Sequence, residues 1–296
     1  MNREKALKSI GLLLIPLVCG FGVLNARSVF ADEALGKAGA TIDGGPELHY
    51  FKYEEPDVME EEGMMFGAFG RAALRIKENR PVQNLSDVLT GINTFMFEGR
   101  LSFGNVDYTS NGTGSVDDIF DFLAEIRGLA GFDLPAGDNH LLTPYAGLGY
   151  RYWFDELGGK VSTTGDAGYD RESNYLYLPI GIATKSRLSG GWNLGLNLEY
   201  DLFLDGQQKS HLEDVSPALS TLDNDQNDGY GIRGSVSLTK EMPGSRVSLL
   251  VEPFVRFWDI DDSSEATVTC GGTPCLVGYE PRNKTLEVGA RVGARF

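Results

Sequence analysis

The chain has 296 residues, of which 26 are basic and 42 acidic, and its formal net charge is −16 at pH 7. A surface this acidic argues against nucleic acid as a partner, because nucleic-acid binding requires a basic surface. It also argues against direct contact with bare anionic lipid head groups unless divalent cations bridge the two. The length fits one large domain or two small ones, and since no segment has the composition of a linker, we expect one domain.

Residues 1–31 have the composition of a secretory signal peptide. Three basic residues come first, an apolar run follows over 10–24, and the small residue Ala31 stands before Asp32. The run is interrupted by Pro16 and is shorter than the ~20 apolar residues that a spanning helix needs. We predict cleavage after Ala31, with Ala26 as the second choice. The remaining chain then carries 22 basic and 41 acidic residues.

After an N-terminal periplasmic segment at 32–45, apolar and polar residues alternate from about residue 46 to the end. In the last segment Leu286, Val288 and the alternate residues up to Phe296 are apolar or small, whereas the other parity is polar, charged or glycine. This period of two predicts β-strands. Ten strands are predicted, with eight or twelve as alternatives: 46–56, 63–77, 91–104, 117–132, 140–157, 173–186, 191–205, 229–241, 246–260 and 282–296.

Three features favour a transmembrane barrel over a soluble sandwich. The segments are 11–17 residues long, whereas soluble strands usually have ~5–6 and a tilted membrane strand needs ~9–11. Their polar face carries opposite charges at mid-strand. Short connections alternate with long acidic ones at 104–116, 158–172, 206–228 and 259–281, as in bacterial barrels with short periplasmic turns and long outer loops. We therefore predict an all-β, transmembrane, antiparallel up-and-down β-barrel over 46–296.

At Pro144–Trp153 (PYAGLGYRYW) and at the terminal strand Leu286–Phe296 (LEVGARVGARF), the chain resembles the small bacterial outer-membrane β-barrel superfamily. A last strand that ends on an aromatic, here Phe296, is similar to the signal read by the outer-membrane assembly machinery. The resemblance implies a Gram-negative-type host, secretory export and assembly from the periplasm. It implies membrane lipid, lipopolysaccharide and the assembly machinery as partners.

The best-defined candidate site is a set of charges on the inward parity of the strands. Eight arginines and six acids are close to balance, and since a buried charge is costly unless paired, we expect salt bridges across the lumen. The predicted lumen residues are Arg71, Arg75, Glu98, Arg100, Glu125, Arg127, Arg151, Glu199, Asp201, Arg233, Glu252, Arg256, Glu287 and Arg291.

Two candidate sites lie outside the strands. Cys270 and Cys275 enclose four residues in a chain expected to reach an oxidising compartment, so we expect a disulfide between them. Asp223, Asp225 and Asp228 resemble part of a calcium loop, although the following glycine falls one place late and no glutamate follows at the right distance. We keep weak calcium binding and a simply solvated loop as alternatives there.

The three histidines give little support to catalysis. His49 and His140 are assigned to the periplasmic end of the barrel, and His211 is assigned to an outer loop near Glu213 and Asp214. A histidine beside acids can act as a general base, but the Asp-x-His spacing of the ten-stranded outer-membrane proteases is absent. We expect no enzyme activity and no cofactor.

Two functional hypotheses remain open. The first is a barrel with a plugged lumen and acidic outer loops that serves a structural or surface-interaction role. The second is a small passive channel of the porin type. An outer-membrane hydrolase is a third, weaker alternative.

Overall fold

The computed structural model describes residues 38–76 and 91–296. The predicted signal peptide lies outside these residues, as does most of the connection between the second and third predicted strands. No helix within the described ranges is both long enough and apolar enough to cross a membrane.

In the described ranges ten long strands form the barrel, and each pairs antiparallel with its neighbour in the chain. Their bounds are β1 Gly39–Glu55, β2 Met59–Arg75, β3 Thr94–Ser110, β4 Gly114–Gly131, β5 His140–Glu156, β6 Arg171–Arg187, β7 Trp192–Ser210, β8 Gly229–Glu241, β9 Ser248–Ile260 and β10 Asn283–Arg295. The last strand pairs with the first, so that Leu48 lies opposite Ala290 and Tyr50 opposite Val288. The sheet is thereby closed, which confirms the predicted ten-stranded up-and-down barrel.

Two ends of the barrel can be distinguished. At the turn end, β1 begins, β10 finishes and short connections such as 188–191 and 242–247 join the strands. At the loop end, long connections span 157–170, 211–228 and 261–282. At the loop end, Leu222–Gln226 pairs with the end of β7, and Ala266–Cys270 pairs with Thr273–Gly278 in a separate two-stranded hairpin.

The first strand begins at Gly39, not at residue 46, so the expected periplasmic segment 32–45 is wrong in its second half. Residues 39–45 continue the register of β1 against 69–75 of β2. Two adjacent glycines and Pro46 interrupt the apolar alternation there, because these residues have low strand preference. These residues are held extended by pairing with β2 on one side and with β10 on the other, where Asp43 lies opposite Arg295.

Two predicted outer loops contain the ends of long strands. Residues 104–116 form the ends of β3 and β4, joined by the turn 111–113, and β7 continues to Ser210 inside the predicted loop 206–228. The outward residues of these extensions are polar, which made them resemble loops. Their inward residues include Val106, which is buried against Phe51 and Met65.

The outer surface of the barrel is apolar, whereas the inside holds many charged side chains together with clusters of buried apolar ones. Large apolar side chains point outward and are exposed in a belt around the strands, among them Leu48, Phe66, Leu101, Ile180, Leu198 and Val288. Alternation places their chain neighbours in the lumen. Since a hydrocarbon environment requires an apolar exterior and a closed sheet, this surface fits a membrane.

Candidate functional site: the charged barrel interior

Arg100 on β3 lies at the centre of the lumen and bonds to three carboxylates on three other strands. Its Nε donates to Glu125 Oε2 at 2.7 Å, and its Nη1 donates to Glu287 Oε2 at 2.7 Å and to Glu47 Oε1 at 3.1 Å. A second bond, from Nη2 to Glu287 Oε1, is 2.9 Å long. The side chains of Arg100 and Glu287 are 1% and 0% exposed. These bonds join β3 to β4, β1 and β10 inside the barrel.

Two further arginines complete this layer from β9 and β10. Arg256 donates to Glu287 at 2.9 Å and to Glu47 at 3.1 Å, and Arg291 donates to Glu47 Oε2 at 2.6 Å. Each carboxylate thus accepts bonds from more than one guanidinium. Such sharing offsets the desolvation that would make an isolated buried charge costly.

The network extends toward the turn end and sideways. Arg71 bonds to Glu98 at 2.9 Å and to Glu252 at 3.1 Å, linking β2, β3 and β9. On the other side Arg233 bonds to Glu125 and Asp201, and Arg127 bonds to Glu199. We call this network the charge plug. It consists of the predicted lumen residues other than Arg75, and it also includes Glu47.

The structure places all fourteen predicted lumen residues on the inner face of the barrel. Twelve are buried, whereas Arg71 and Arg75 are half-buried. Arg75 lies apart from the plug and pairs with Asp133 near the turn end. Arg151 is 1% exposed and forms no hydrogen bond; its Nη2 lies 3.7 Å from Glu287 Oε1 and its guanidinium lies 5.5 Å from the ring centre of Tyr175.

Sequence reasoning missed the contributions of the first strand. Glu47 accepts from three arginines, and Asp43 pairs with Arg295 at 2.7 Å. The assignment of His49 to the periplasmic end is wrong, because β1 starts earlier and places His49 at mid-strand, 1% exposed between Glu47 and Glu287. The signal was available: residues 43, 47, 49 and 51 share one parity.

An open vestibule lies between the charge plug and the turn end. It has a volume of about 970 Å³, and eleven basic but only four acidic residues line it. Lys185, Arg187 and Arg295 are among the basic residues nearest the turn end, while Arg71, Glu98 and Arg127 lie at its inner limit. The vestibule therefore enters the barrel from one side and ends at the plug.

Aromatic side chains fill the lumen on the other side of the plug. Trp153 packs between Phe51 and Tyr53, with ring centres 5.7 and 4.7 Å away. Across the barrel, Trp258 packs against Tyr175 and Tyr177. Its ring centre lies 5.0 Å from that of Tyr177. All these rings are at most 1% exposed, so the lumen is filled here as well.

At the loop end, His211 lies between two carboxylates. Its Nε2 is 3.0 Å from Glu172 Oε1 and its Nδ1 is 3.1 Å from Glu213 Oε1. The hydrogen bond with Glu172, reinforced by that with Glu213, raises the pKa of His211 to about 8 despite partial burial. The imidazolium thus attaches the start of the loop 211–228 to strand β6.

The proposed calcium loop does not have the geometry of a coordinating loop. Asp223 and Asp225 are in the strand Leu222–Gln226, where both are exposed, and Asp228 is exposed before β8. Pairing of this strand with 206–210 of β7 keeps it extended. The carboxylates therefore do not converge, and in the described ranges the acidic groups that do converge are elsewhere.

The two remaining predicted features can be located. Cys270 and Cys275 form a disulfide in the hairpin at the loop end, with Cα atoms 5.7 Å apart. Phe296 follows β10, and its N–H donates to Ile42 O at 2.9 Å while its O accepts from Ile42 N at 3.1 Å. Its side chain is 53% exposed, on the outward parity of the strand.

A closed ten-stranded sheet with an apolar exterior and a charged, filled lumen defines a transmembrane β-barrel. Among solved structures, the chain is similar to the outer-membrane protease OmpT from Escherichia coli, with a TM-score of 0.61 and 11% identity over 91% of this chain and 99% of that one. The fold is that of the bacterial outer-membrane β-barrels. At this identity the likeness shows the fold alone.

Two other solved structures are more distant. One is the translocator domain of the autotransporter NalP from Neisseria meningitidis, with a TM-score of 0.43 and 12% identity over 99% of this chain and 95% of that one. The other is the toluene transporter TbuX from Ralstonia pickettii, with a TM-score of 0.33 and 8% identity over 88% and 89%. No protein-family model matches the sequence, and no curated protein sequence matches it either.

Proposed function

We propose that this chain is an outer-membrane barrel that does not conduct, with a structural or surface-interaction role carried by its acidic loop end. The turn end then faces the periplasm and the loop end faces outward, the orientation of bacterial barrels with short periplasmic turns. The observation that carries the proposal is the charge plug: Arg100, Glu287 and Glu47 bond across the lumen with almost no exposed surface.

The energetics of the plug support a closed state. Opening a pore would separate several mutually bonded charges, and removal of a single partner from a buried pair typically costs about 3–5 kcal/mol. Above the plug, the rings of Trp153 and Trp258 fill the remaining section. Small barrels commonly fill their interiors with side chains in this way.

The loop end supports a surface role. Asp223, Asp225, Asp261 and Asp262 are exposed there, so divalent cations could bridge this face to lipopolysaccharide phosphates. Phe296, at the exposed end of the closing strand, is the residue through which we expect recognition by the outer-membrane assembly machinery.

A passive channel is the second candidate, and the vestibule favours it. About 970 Å³ of open volume already enters the barrel from the turn end. Only the plug and the aromatic layer would have to rearrange for a solute to pass. The excess of basic residues that line the vestibule would then favour anions.

Conductance in planar bilayers separates the two candidates. We expect the wild-type barrel to give no stable single-channel steps, and the variant Arg100→Ala/Glu287→Ala/Trp153→Ala/Trp258→Ala to give them, because it removes side chains from both the charge plug and the aromatic layer. Lys52→Ala is the control, since Lys52 is on the exterior and pairs with Glu60 at 2.7 Å. Each variant is first checked for heat-modifiable migration on a gel. Stable wild-type steps that a solute blocks would establish the channel instead.

A hydrolase has less support than either candidate. Both ring nitrogens of His211 are engaged by glutamates, which leaves neither free to take a proton from a substrate. An activity that is lost in His211→Ala would be needed to revive this alternative.

A further inference from the structure

Three carboxylates that belong to neither the charge plug nor the surface loops meet inside the loop end of the lumen. They are Glu61 on β2, Asp121 on β4 and Asp155 on β5, and all are 0% exposed. One carboxylate oxygen of each lies within 4.8 Å of the others. We call these residues the carboxylate triad.

Each triad residue has one carboxylate oxygen bonded and one free. Trp153 Nε1 donates to Asp121 Oδ2 at 2.7 Å, Arg171 Nε donates to Asp155 Oδ2 at 3.1 Å, and Arg171 Nη2 donates to Glu61 Oε1 at 2.7 Å. The second oxygens, Glu61 Oε2, Asp121 Oδ1 and Asp155 Oδ1, are buried and have no hydrogen-bond partner within residues 38–76 and 91–296. Three side chains thus each keep a desolvated oxygen without a donor, which is costly.

The surroundings do not compensate the charge of the triad. Among the residues that the structure describes, Arg171 is the single cation bonded to it, and its third nitrogen is used by Glu55 at 2.8 Å. The apolar side chains that flank the triad along its strands form one buried cluster: Met59, Ile119, Leu123, Trp153 and Leu157. Three carboxylates against one guanidinium in a dry environment leave two negative charges to be balanced.

A second group of close ligand atoms, Glu47, His49 and Glu287, shows what a compensated cluster is like. The carboxylate oxygens of Glu47 and Glu287 accept from Arg100 and Arg256. An added cation there would face these guanidiniums. The carboxylate triad lacks such an excess of arginines.

We propose that Glu61, Asp121 and Asp155 bind one calcium ion. Two ligands of the same calcium ion, each at 2.3–2.6 Å, can be up to about 5 Å apart, and the triad oxygens are within that limit. A set made of carboxylate oxygens suits a hard cation, and calcium tolerates the irregular geometry that three strands impose. The bound ion balances the two excess charges and ties β2, β4 and β5 together at the loop end.

The first test measures calcium binding to the folded full-length barrel in detergent micelles after EDTA treatment. We expect one saturable site by equilibrium dialysis, with half-saturation at about 0.1–1 mM as in extracellular calcium modules. The thermal midpoint should rise with calcium, because the ion binds only the folded state. Glu61→Gln should abolish both effects.

The matched control is Glu60→Gln, the neighbouring residue on the outer face of the same strand, which should retain both effects. If Glu61→Gln does not fold, Asp121→Asn takes its place. A wild-type midpoint and dialysis profile that do not depend on calcium would overturn the proposal and assign protons to the triad. Equal loss in Glu60→Gln would also overturn it.

Terbium gives a readout that does not depend on stability. Since Trp153 donates to Asp121, excitation of tryptophan should sensitise emission from terbium in the site, and calcium should quench the signal by competition. We expect the emission to be lost in Trp153→Phe. It should be kept in Trp192→Phe, because Trp192 lies at the turn end of the barrel. Emission that persists in Glu61→Gln would contradict the assignment.

Discussion

The size of the side chain that fits at an inward position of this barrel depends on the space in the lumen. In the segment PYAGLGYRYW of β5, Gly147 and Gly149 face inward between bulky neighbours. A Cβ at Gly149 would lie 2.1 Å from Cζ of Tyr177, whose hydroxyl donates to Glu125 of the plug at 2.6 Å. The glycine therefore makes room for the ring that supports the charge network.

Gly149→Ala should lower the free energy of unfolding by about 1–3 kcal/mol, because the Tyr177 ring must move and its bond to Glu125 is weakened. Gly128→Ala is the control: no atom lies within 4 Å of its added Cβ, and alanine should be neutral or stabilise by about 0.4–1 kcal/mol. Denaturant unfolding in micelles measures both. Equal effects of the two substitutions would contradict a specific steric role for Gly149.

Among single residues, the inward charges could be recognised from sequence because strand parity is a local property. Their partners could not. Arg100 and Glu287 are separated by 187 positions, and only closure of the barrel brings them within bonding distance. The carboxylate triad was not recognised because Glu61 lies outside the predicted strand 63–77.

At the scale of elements, the long strands carry extensions that anchor the loops. The loop 211–228 is held at its start by His211, which bonds to Glu172 of β6 and to Glu213 within the loop. Glu213 in turn accepts from Thr221 Oγ1 at 2.9 Å. These contacts connect the loop to the barrel wall through one titratable group.

The anchoring of this loop should weaken as the pH rises. The pKa of His211 is raised to about 8 from an ordinary 6.5, so the protonated ring stabilises the folded loop fully below pH 6.5. That contribution is lost as the pH rises through 8. Hydrogen exchange of residues 212–221 should therefore accelerate between pH 6.5 and 9, after correction for intrinsic exchange. In His211→Gln the corrected rates should not change with pH; a wild type equally insensitive to pH would count against the anchor.

The alternation that identified ten strands could not define their ends. Residues 104–116 have the polar composition of a loop, yet they pair as strand ends, with Val106 buried and with Tyr108 and Val116 packed against its cluster. Likewise, the aspartates of 222–226 appeared to form a calcium loop until pairing with β7 showed an extended segment.

At the scale of the whole molecule, the distribution of apolar surface distinguishes this barrel from a soluble sheet. Leu198 on β7 is 68% exposed and lies in the middle of the apolar belt, opposite Ile182 and Gly234 of the neighbouring strands. In water an exposed leucine contributes little to stability, whereas in a bilayer it faces lipid.

Leu198→Arg should destabilise the barrel folded in lipid vesicles by about 2–4 kcal/mol, because a charge near the bilayer midplane is costly. Leu276→Arg is the control: Leu276 is 55% exposed in the hairpin at the loop end, and a surface change there should stay within about 0.5 kcal/mol. Unfolding from vesicles provides the comparison. If Leu198→Arg were as mild as Leu276→Arg, Leu198 would face water and the membrane assignment would be wrong.

The sequence by itself determined the class of fold, the number of long strands and which side chains face inward, because a strand's period of two is encoded residue by residue. Only the tertiary structure decided where the first strand begins, that Glu47 joins the plug, and which carboxylates remain without a donor. These features depend on contacts between residues far apart in the chain, and closure of β1 on β10 creates many of them.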